Sequence, residues 1–229
     1  MRLFRHIAHI ENDYTEKFGI PRQSQAVPEL VSRIVFEPEY RDPSALRGLD
    51  EFSHLWLIWE FSASVREDFS PTVRPPKLGG NERVGVFATR SPFRPNPVGL
   101  SCVLLDRIEP DEGRGMTLLV RGADLMNGTP IYDIKPYLPY ADAWPQASAG
   151  FTQRIREKPL TVVFDRSCHT GSLSEERLRV LTRLLSLDPR PGYQDDPDRV
   201  YGLTFAGMNI RFTVAGDTLT VLSIQDPER

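Results

Sequence analysis

The stretch PTVRPPKLGGNERVGVFATRSPFRPNPVGL, which runs from Pro71 to Leu100, limits the fold more than any other part of the chain. It contains six prolines, at positions 71, 75, 76, 92, 95 and 97. Because proline fixes the backbone angle φ and lacks an amide hydrogen, this segment forms neither a long helix nor a central strand. The sequence therefore predicts rigid, irregular backbone here, with one short strand, Arg83–Thr89, inside it.

The same stretch is strongly cationic. It holds one carboxylate, that of Glu82, and five basic residues: Arg74, Lys77, Arg83, Arg90 and Arg94. Several guanidinium groups on stiff loops are unfavourable unless an anionic or planar ligand binds among them. We therefore expect function to centre on this stretch.

Composition sets the broad class of the protein. The chain has 229 residues, 40% hydrophobic and 26% charged, which is ordinary for a globular protein of one large or two modest domains. The formal net charge is −3 and the isoelectric point about 5.9, so a polyanion would have to be held by a local basic patch.

Cysteine use and apolar runs predict the compartment. Two cysteines, Cys102 and Cys168, provide neither a disulfide framework nor a zinc site, which indicates a reducing environment. No apolar run reaches membrane-spanning length, and the first residues, MRLFRHIAHIEN, carry charges too early for a secretory signal. We expect a cytoplasmic protein that has no contact with a membrane.

Residues 1–155 are predicted to form a mainly β domain. Apolar residues recur mostly with a period of two, and many short strands joined by turn-rich connections favour a small barrel or sandwich over βαβ units. Alternation in one strand, His54–Phe61, predicts burial of both its faces, with His54 in the core. The predicted strands are Leu3–Ile10, Ser32–Phe36, His54–Phe61, Arg83–Thr89, Gly99–Ile108 and Thr117–Arg121, with a minor helix at Pro43–Leu49.

The polar segment Gly150–Lys158 is typical of a linker, and residues 156–229 are predicted to form a smaller α+β domain. Ser172 and Glu175 have the spacing of a capping box before a helix. The predicted elements are a strand at Leu160–Phe164, a helix from Ser174 to Leu187, and strands at Tyr201–Phe205, Asn209–Val214 and Leu219–Ile224. One face of the helix is predicted to pack in the core, and its residues are Leu178, Leu181, Leu184 and Leu185.

Three common chemistries lack their sequence motifs. The four histidines are scattered and no Cys/His cluster has metal-ligand spacing, so we expect no metal site. Neither a G-x-S-x-G elbow nor a phosphate-binding G-x-x-x-x-G-K-[ST] loop is present. The glycine pair Gly79-Gly80 precedes a predicted strand instead of a helix, which argues against a Rossmann-type dinucleotide fold.

Polar residues gather instead on three turns that proline makes rigid: Gly19–Gln23, Arg90–Pro97 and Asp124–Pro130. In the second turn two arginines flank Phe93 and two prolines enclose Asn96, a degree of constraint that favours ligand binding over a plain surface loop. The first turn could equally be a capped loop, and the Asn-Gly pair of the third is a common turn signal.

Four strings in the chain resemble the TrmO family, S-adenosylmethionine-dependent tRNA methyltransferases that act on N6 of N6-threonylcarbamoyladenosine at position 37. They are GIPRQ (19–23), RGLDEFSHLWLI (47–58), PTVRPPKLGGNERVGVFATRSPFRPNPVGLS (71–101) and NGTPIYDIKPYLPYAD (127–142). The likeness covers the N-terminal two-thirds of the chain. In the C-terminal part, Asp188-Pro189-Arg190-Pro191 and Tyr193 are similar to a motif of the longer bacterial members.

The resemblance implies a small β-barrel that binds S-adenosylmethionine without a Rossmann fold, a homodimer, and action beside the anticodon of tRNA. Two positions depart from the family pattern. Asn127 replaces a common aspartate, which keeps a hydrogen-bond acceptor but loses a charge, and Ser62-Ala63 replaces a frequent His-Gln. The cofactor-binding positions implied by the family fall on Pro21, Arg22, Gln23, Ser62, Ala63, Arg90, Leu100, Asp124, Leu125, Met126 and Asn127.

The catalytic roles rest on chemical suitability. Methyl transfer to N6 requires positioning and the loss of one proton, for which Asp133 is the candidate acceptor. Lys135 and Tyr137 are the candidates for orienting the base or its modification. Asp133 and Lys135 share one face of an extended segment, so they could equally form a solvated ion pair.

The expected partner is the anticodon loop of tRNA, with Phe93, Arg94 and Asn96 as the contacting residues, because RNA loops are recognised by stacking and by cations. In the C-terminal domain Arg190 and Tyr193 are candidate contacts to the anticodon arm, and a lid or a dimer support is the equal alternative. A non-catalytic RNA- or nucleotide-binding barrel would use the same basic segment and is the alternative function.

Overall fold

The computed structural model describes residues 4–64, 68–78, 82–155, 158–190, 194 and 196–226. Predictions that involve Leu3, Gly79-Gly80, Pro191 or Tyr193 lie outside these ranges. The fold is mainly β, as predicted. Within the described ranges, no helix combines the length and the apolar composition that crossing a membrane requires.

The described ranges contain twelve strands, two α-helices and eight short 3-10 turns. The strands are β1 Ala8–Glu11, β2 Val31–Phe36, β3 His54–Glu60, β4 Thr72–Val73, β5 Val84–Gly85, β6 Val98–Asp111, β7 Gly115–Arg121, β8 Pro130–Pro136, β9 Thr161–Phe164, β10 Tyr201–Phe205, β11 Met208–Ala215 and β12 Thr218–Gln225. The helices are α1 Pro139–Asp142 and α2 Glu175–Ser186. The 3-10 turns are Pro38–Tyr40, Pro43–Leu46, Leu49–Glu51, Ser62–Ser64, Pro76–Leu78, Val86–Ala88, Gly150–Arg154 and Thr170–Ser172.

Six strands close into a barrel in the order β1-β2-β7-β6-β3-β8. Every neighbouring pair in this ring is antiparallel, and β1 completes it by pairing with both β2 and β8. Because successive side chains of a strand point to opposite faces, every second residue enters the interior. Fully buried aliphatic side chains fill it, among them Ile10, Ile34, Leu57 and Leu118.

The antiparallel order places three connections at one end of the barrel, which we call the loop end. Strands β1, β3 and β7 finish there, and β2, β6 and β8 begin there, so the connections are 12–30, 61–97 and 122–129. The proline-rich stretch Pro71–Leu100 lies mostly in the second connection. Proline suits a connection because irregular backbone does not have to supply the hydrogen-bond donors of a sheet.

A second unit follows the barrel. Strands β10, β11, β12 and β9 form a four-stranded sheet in this order, in which only β12 and β9 run parallel. Helix α2 packs on the sheet through its leucine face, which confirms the core packing predicted for that face. The same core also takes up Tyr14, Val27 and Leu30, so the first connection of the barrel is anchored in the second unit.

Two helix predictions needed correction. Ser174, and not Ser172, caps α2, since the Ser174 hydroxyl accepts a hydrogen bond from the amide of Arg177 over 3.3 Å. Ser172 instead ends a 3-10 turn. The helix predicted at Pro43–Leu49 is wrong, because the chain there forms two 3-10 turns that are separated at Gly48, where φ is +80°.

Two strand predictions were also wrong. Of the predicted strand Arg83–Thr89, only Val84–Gly85 pairs, with Thr72–Val73, and the next three residues form a 3-10 turn that buries Val86. Strand β8 was missed because Pro130 and Pro136 stand at its ends and resemble turn signals. As the first residue of the strand, Pro130 occupies a position where sheets tolerate proline.

Strand β3 is buried on one face only, and not on both as predicted. Its inward residues are Leu55, Leu57 and Trp59, and its half-exposed outward residues are His54, Trp56 and Ile58. His54 therefore lies outside the core, with its Nδ1 2.9 Å from the hydroxyl oxygen of Ser53. An antiparallel barrel strand packs on the core with one face, and the apolar residues of the other face concealed this alternation.

Replacing Gly99 is expected to destabilise the barrel. An added Cβ at Gly99 would lie 2.2 Å from Cε2 of Trp59, whose Nε1 is held by a 2.9 Å hydrogen bond to Ser101. We expect Gly99→Ala to lower the free energy of unfolding by about 1–3 kcal/mol through overpacking. Urea denaturation measures this change. Gly85→Ala is the matched control, since an added Cβ there meets nothing within 4 Å, and equal effects of both variants would contradict the explanation.

Candidate functional site

The loop end gathers most of the residues that were predicted to bind a cofactor. Leu100, the third residue of β6, lies beside it. The others lie on the three connections: Pro21, Arg22 and Gln23 on 12–30, Ser62, Ala63 and Arg90 on 61–97, and Asp124, Leu125, Met126 and Asn127 on 122–129. Segments that are far apart in the chain thus meet at one end of the barrel, which we take as the candidate site.

Arg90 links all three connections. Its Nη1 donates a hydrogen bond to Oε1 of Gln23 over 2.6 Å. Its positive charge also favours the ionised form of Asp124, which accepts a hydrogen bond from the backbone amide of Ser24. A guanidinium, an amide and a carboxylate from three separate connections therefore form one polar cluster.

Asp124 is the most deeply placed member of this cluster. The Ser101 hydroxyl donates to its Oδ1 over 2.5 Å, and Nε1 of Trp59 donates to the same hydroxyl over 2.9 Å. Burial raises the pKa of Asp124, and the hydrogen bond from Ser101 and the charge of Arg90 offset this effect only in part. The carboxyl group is thus anchored to the barrel interior while it faces the cluster.

The turn from Asp124 to Asn127 is tied to connection 12–30 by hydrogen bonds of its backbone and of one side chain. Leu125 is fully buried in the barrel core, and its carbonyl accepts a hydrogen bond from Nδ2 of Asn12 over 2.9 Å. Oδ1 of Asn127 accepts a hydrogen bond from the backbone amide of Asn12 over 3.0 Å. The side-chain oxygen of Asn127 therefore ties this turn to connection 12–30. Met126, between Leu125 and Asn127, is half-buried.

Arg22 and its neighbours face the second unit. Nη2 of Arg22 donates to the backbone carbonyl of Arg190 over 2.8 Å. The segment Pro21–Gln23 lines a cavity of about 80 Å³ together with Leu187–Pro189. The turn after α2 therefore supports one wall of the candidate site.

The Arg190 side chain is not a surface cation. It is 9% exposed, and its guanidinium donates to both carboxylate oxygens of Asp188 over 2.9 and 3.0 Å. This burial argues against a direct contact of the Arg190 side chain with tRNA, because most of the guanidinium is turned away from the surface and two of its nitrogens are held by Asp188. Tyr193, the other residue of that hypothesis, lies outside the described residues.

Ser62 and Ala63 open the second connection as part of an exposed 3-10 turn. The Ala63 carbonyl accepts a hydrogen bond from Nζ of Lys17, which joins this turn to connection 12–30. Both side chains are small, so the turn leaves space at the loop end where the resemblance expects larger groups.

A second group of predicted residues lies on the outer face of the barrel. Leu100 on β6 is opposite Ile58 on β3, which is opposite Asp133 on β8, so the three form one row across the strands. Neighbouring strands are about 4.8 Å apart, which places Leu100 about 10 Å from Asp133. Leu100 is 53% exposed. Leu100, which the resemblance implies as a cofactor contact, and Asp133, the candidate proton acceptor, therefore lie on the same outer face.

Asp133 and Lys135 form the ion pair that the sequence allowed, with Nζ of Lys135 2.8 Å from Oδ2 of Asp133. The other oxygen of Asp133 accepts a hydrogen bond from the amide of Ile134 over 2.9 Å. Tyr137 follows the end of β8 that is remote from the loop end, and its ring centroid is 5.7 Å from that of Trp56. The structure thus brings Asp133 near the site, but not Tyr137.

Sequence reasoning missed a cluster beside this row. Oε2 of Glu60, the last residue of β3, lies 2.9 Å from Nε2 of His6. Burial, the charge of Glu60 and a hydrogen bond to Glu60 together raise the pKa of Tyr132, whose ring centroid is 5.0 Å from that of His6. No sequence signal could have found this cluster, because its members come from three separate segments.

The residues predicted to contact tRNA lie at the edge of the loop end. Nη1 of Arg94 donates to the carbonyls of Val86 and Thr89 over 3.1 and 2.6 Å, so this arginine also stiffens its own connection. Phe93 is half-buried, and Asn96 is exposed. The rigidity predicted from the prolines of this connection is thus reinforced by the hydrogen bonds of the Arg94 guanidinium.

The donors and acceptors of the loop end define what it can bind. Guanidinium, amide, carboxyl and backbone groups stand beside the exposed apolar side chain of Leu100. Such a set suits a ligand that carries both signs of charge together with a planar or apolar part. Among the described residues, no group of three or more His, Cys, Asp or Glu side chains could hold a metal ion.

Two family models match this chain. One describes the tRNA-methyltransferase O N-terminal domain and matches residues 9–143. The other describes the TrmO C-terminal domain and matches residues 157–227. Together they cover the barrel, its three connections and most of the second unit.

Named proteins and solved structures are similar over nearly the whole chain. The tRNA (adenine(37)-N6)-methyltransferase of Escherichia coli K12 is 38% identical over 229 residues, which covers 97% of each chain. The putative S-adenosylmethionine-dependent methyltransferase RcsF of Pseudomonas aeruginosa is 36% identical over 212 residues, or 90% of each chain. A crystal structure of TrmO from P. aeruginosa superposes with a TM-score of 0.79 at 30% identity, covering 99% of this chain and 98% of that one.

The buried carboxyl of Asp124 is expected to make stability depend on pH. Its pKa is raised in the folded state, so the folded protein holds this proton more tightly than the unfolded chain does. Stability therefore falls as the pH rises from about 4 through the folded pKa. Asp124→Asn lacks this titration. The unfolding free energy of Asp124→Asn minus that of the wild type should therefore rise with pH over this range. Urea denaturation at several pH values measures this difference.

Asp106 serves as a control of opposite sign. A hydrogen bond from Arg121 lowers the pKa of Asp106, so its contribution to stability is present above the unfolded pKa and is lost as the pH falls. Asp106→Asn should therefore differ from the wild type most at neutral pH and least in acid. A stability difference for Asp124→Asn that does not change with pH would contradict the burial argument.

Proposed function

The chain belongs to the tRNA-methyltransferase O family, and on this premise we propose that it is an enzyme that methylates tRNA. The methyl donor in this proposal is S-adenosylmethionine. The acceptor is N6 of N6-threonylcarbamoyladenosine at position 37, beside the anticodon, which becomes the N6-methylated form. The names of the relatives support methylation of adenine 37. The resemblance of the four sequence strings to the TrmO family supports the threonylcarbamoyl group.

One observation carries the proposal. The positions that the resemblance assigned to the cofactor meet at the loop end, although they lie on three separate connections. Gln23, Arg90 and Asp124 belong to a single polar cluster there. A convergence of this kind is expected of a binding site and not of residues that are kept only for folding.

The side chains of the loop end suit S-adenosylmethionine. Arg22 and Arg90 are matched to its methionyl carboxylate, because a guanidinium offers a planar fork to carboxylate oxygens. The carboxyl of Asp124 is matched to its positive groups, and exposed Leu100 to its adenine. When bound, this cofactor supplies an electrophilic methyl group on a sulfonium.

The residues of the chain position the acceptor and take up one proton. Because N6 carries a proton that must leave when the methyl group is added, a nearby base is needed. We assign this role to Asp133, which shares the outer face with Leu100 and is paired with Lys135. Arg94 and Asn96 are assigned to the RNA. Lys135 and Tyr137 are assigned to orienting the base or its modification, with Tyr137 following the end of β8 that is remote from the loop end.

Three further parts of the proposal follow from the family. The barrel would bind the cofactor without a Rossmann fold, which agrees with its antiparallel ring of strands. The protein would act as a homodimer, and the exposed apolar side chain of Val98 on β6 supports contact between two copies. The substrate places the reaction in the cytoplasm, where tRNA is modified.

Methyl transfer to tRNA of defined modification tests the proposed function. Purified full-length protein is incubated with S-adenosylmethionine and with tRNA that carries either threonylcarbamoyladenosine or plain adenosine at position 37. Mass analysis of the nucleosides should show one methyl group added to the first substrate and little to the second. Methylation of plain adenosine alone would correct the substrate. RNA binding without any thermal shift by S-adenosylmethionine would favour the non-catalytic binding module.

The assignment of Asp133 is tested by Asp133→Asn. We expect single-turnover methyl transfer to slow by about 100-fold, in the range of general base catalysis, while the affinity for S-adenosylmethionine stays unchanged. Glu60→Gln changes the carboxylate of the neighbouring His6–Glu60 pair and is measured in parallel. Near-normal turnover by Asp133→Asn together with a large loss in Glu60→Gln would move the proton acceptor to Glu60.

A further inference from the structure

Two phenylalanines of the second connection are exposed to solvent. Phe69 is 54% exposed and Phe87 is 73% exposed. Their ring centroids are 6.4 Å apart and the ring planes differ by 26°, so the two side chains form a near-parallel pair on the surface. We call this pair the aromatic platform. A pair of large exposed rings indicates an interaction site, whereas single exposed apolar residues are common on protein surfaces.

The backbone fixes the position of the aromatic platform. Strands β4 and β5 form a two-stranded antiparallel ribbon, and the amide of Val86 extends it by donating to the carbonyl of Pro71 over 2.9 Å. Phe69 precedes the first strand and Phe87 follows the second, so both emerge at the same end of the ribbon. The side chain of Val86, next to Phe87 in the chain, is fully buried, which anchors this end.

One guanidinium group contacts the platform, and a second is held in the ribbon that carries it. The guanidinium carbon of Arg94 is 5.8 Å from the ring centroid of Phe87, within the range of a cation–π contact. Nη1 of Arg83 donates to the hydroxyl of Thr72 in the ribbon over 2.7 Å. The described part of this connection thus combines exposed ring faces with positive charge, although the whole chain is acidic.

We propose that Phe69 and Phe87 form a stacking surface for unpaired bases of the tRNA anticodon loop. Single-stranded RNA is bound through bases that stack on aromatic side chains and through cations that contact the phosphates. Arg83 and Arg94 supply these cations. The inference rests on the proposed function, because Phe87 precedes Arg90 of the polar cluster by three residues in the same connection.

The platform refines the assignment of RNA contacts. Phe93 was predicted from the sequence as the stacking residue, but its side chain is half-buried whereas Phe69 and Phe87 are exposed. Charge argues for RNA as the occupant. A partner surface that is only apolar would be matched by the rings but not by the guanidinium groups beside them.

Binding of native tRNA to the full-length protein tests the platform. Phe69→Ala and Phe87→Ala are each expected to raise the Kd for tRNA by about 10-fold, since one stacked base is lost. The affinity for S-adenosylmethionine should stay unchanged, because neither side chain belongs to the polar cluster. Phe87→Trp keeps a large ring face and should bind tRNA nearly as the wild type does. Tyr140→Ala is the matched control, since Tyr140 is 86% exposed but lies in α1, beyond the far end of β8.

The outcomes separate this inference from the proposed function. If the wild type methylates tRNA and both alanine variants keep its Kd, the platform is refuted and the proposed function stands. If the wild type binds tRNA but transfers no methyl group, the proposed function fails, and the Kd values of the variants still decide the platform. Alanine variants that change the oligomeric state in sedimentation, with unchanged Kd for tRNA, would assign the pair to a contact between two copies and overturn the proposal.

Discussion

The structure depends on the register with which β1 closes the barrel. This strand has only four residues, and it meets β8 over two residue pairs. Further backbone bonds secure the junction, from Ile7 to Ile131 over 2.8 Å and from Gly128 to Ile10 over 2.7 Å. A slip of one residue would turn Ile10 outward, because side chains alternate between the faces. It would also break the contact between Asn12 and Asn127, which joins two of the connections that form the site.

The sequence predicted those parts of the fold whose pattern is local. Strands β2, β6 and β7 and the whole second unit follow apolar alternation or a helical leucine face, and these signals are carried within a few residues. Strand β8 was not predictable in this way, because its hydrogen bonds come from β1 and β3 and its prolines hide the pattern. The burial of Leu125 and the outward position of His54 likewise depend on packing against segments that are distant in the chain.

The site, like the fold, was predictable only where its signal lay within a few residues of sequence. Turn residues such as Gln23, Arg90 and Asp124 stood out because proline makes their turns rigid, and the structure brings them together. The Arg190 side chain, expected to face tRNA, is instead buried and paired with a carboxylate two residues earlier in the chain. The contact of His6 with Glu60 spans 54 residues of sequence, and no local pattern can report such a pair.

Connection 12–30 belongs to both parts of the molecule. Tyr14, Val27 and Leu30 are buried in the second core, while Arg22 and Gln23, which lie between them in sequence, border the loop end. Each buried side chain of this kind contributes about 1.5–3 kcal/mol, so the anchoring is substantial. When heat melts the four-stranded sheet, this connection loses its anchors and the site loses one wall. The thermal stability of the site therefore depends also on a sheet none of whose strands contains a residue assigned to that site.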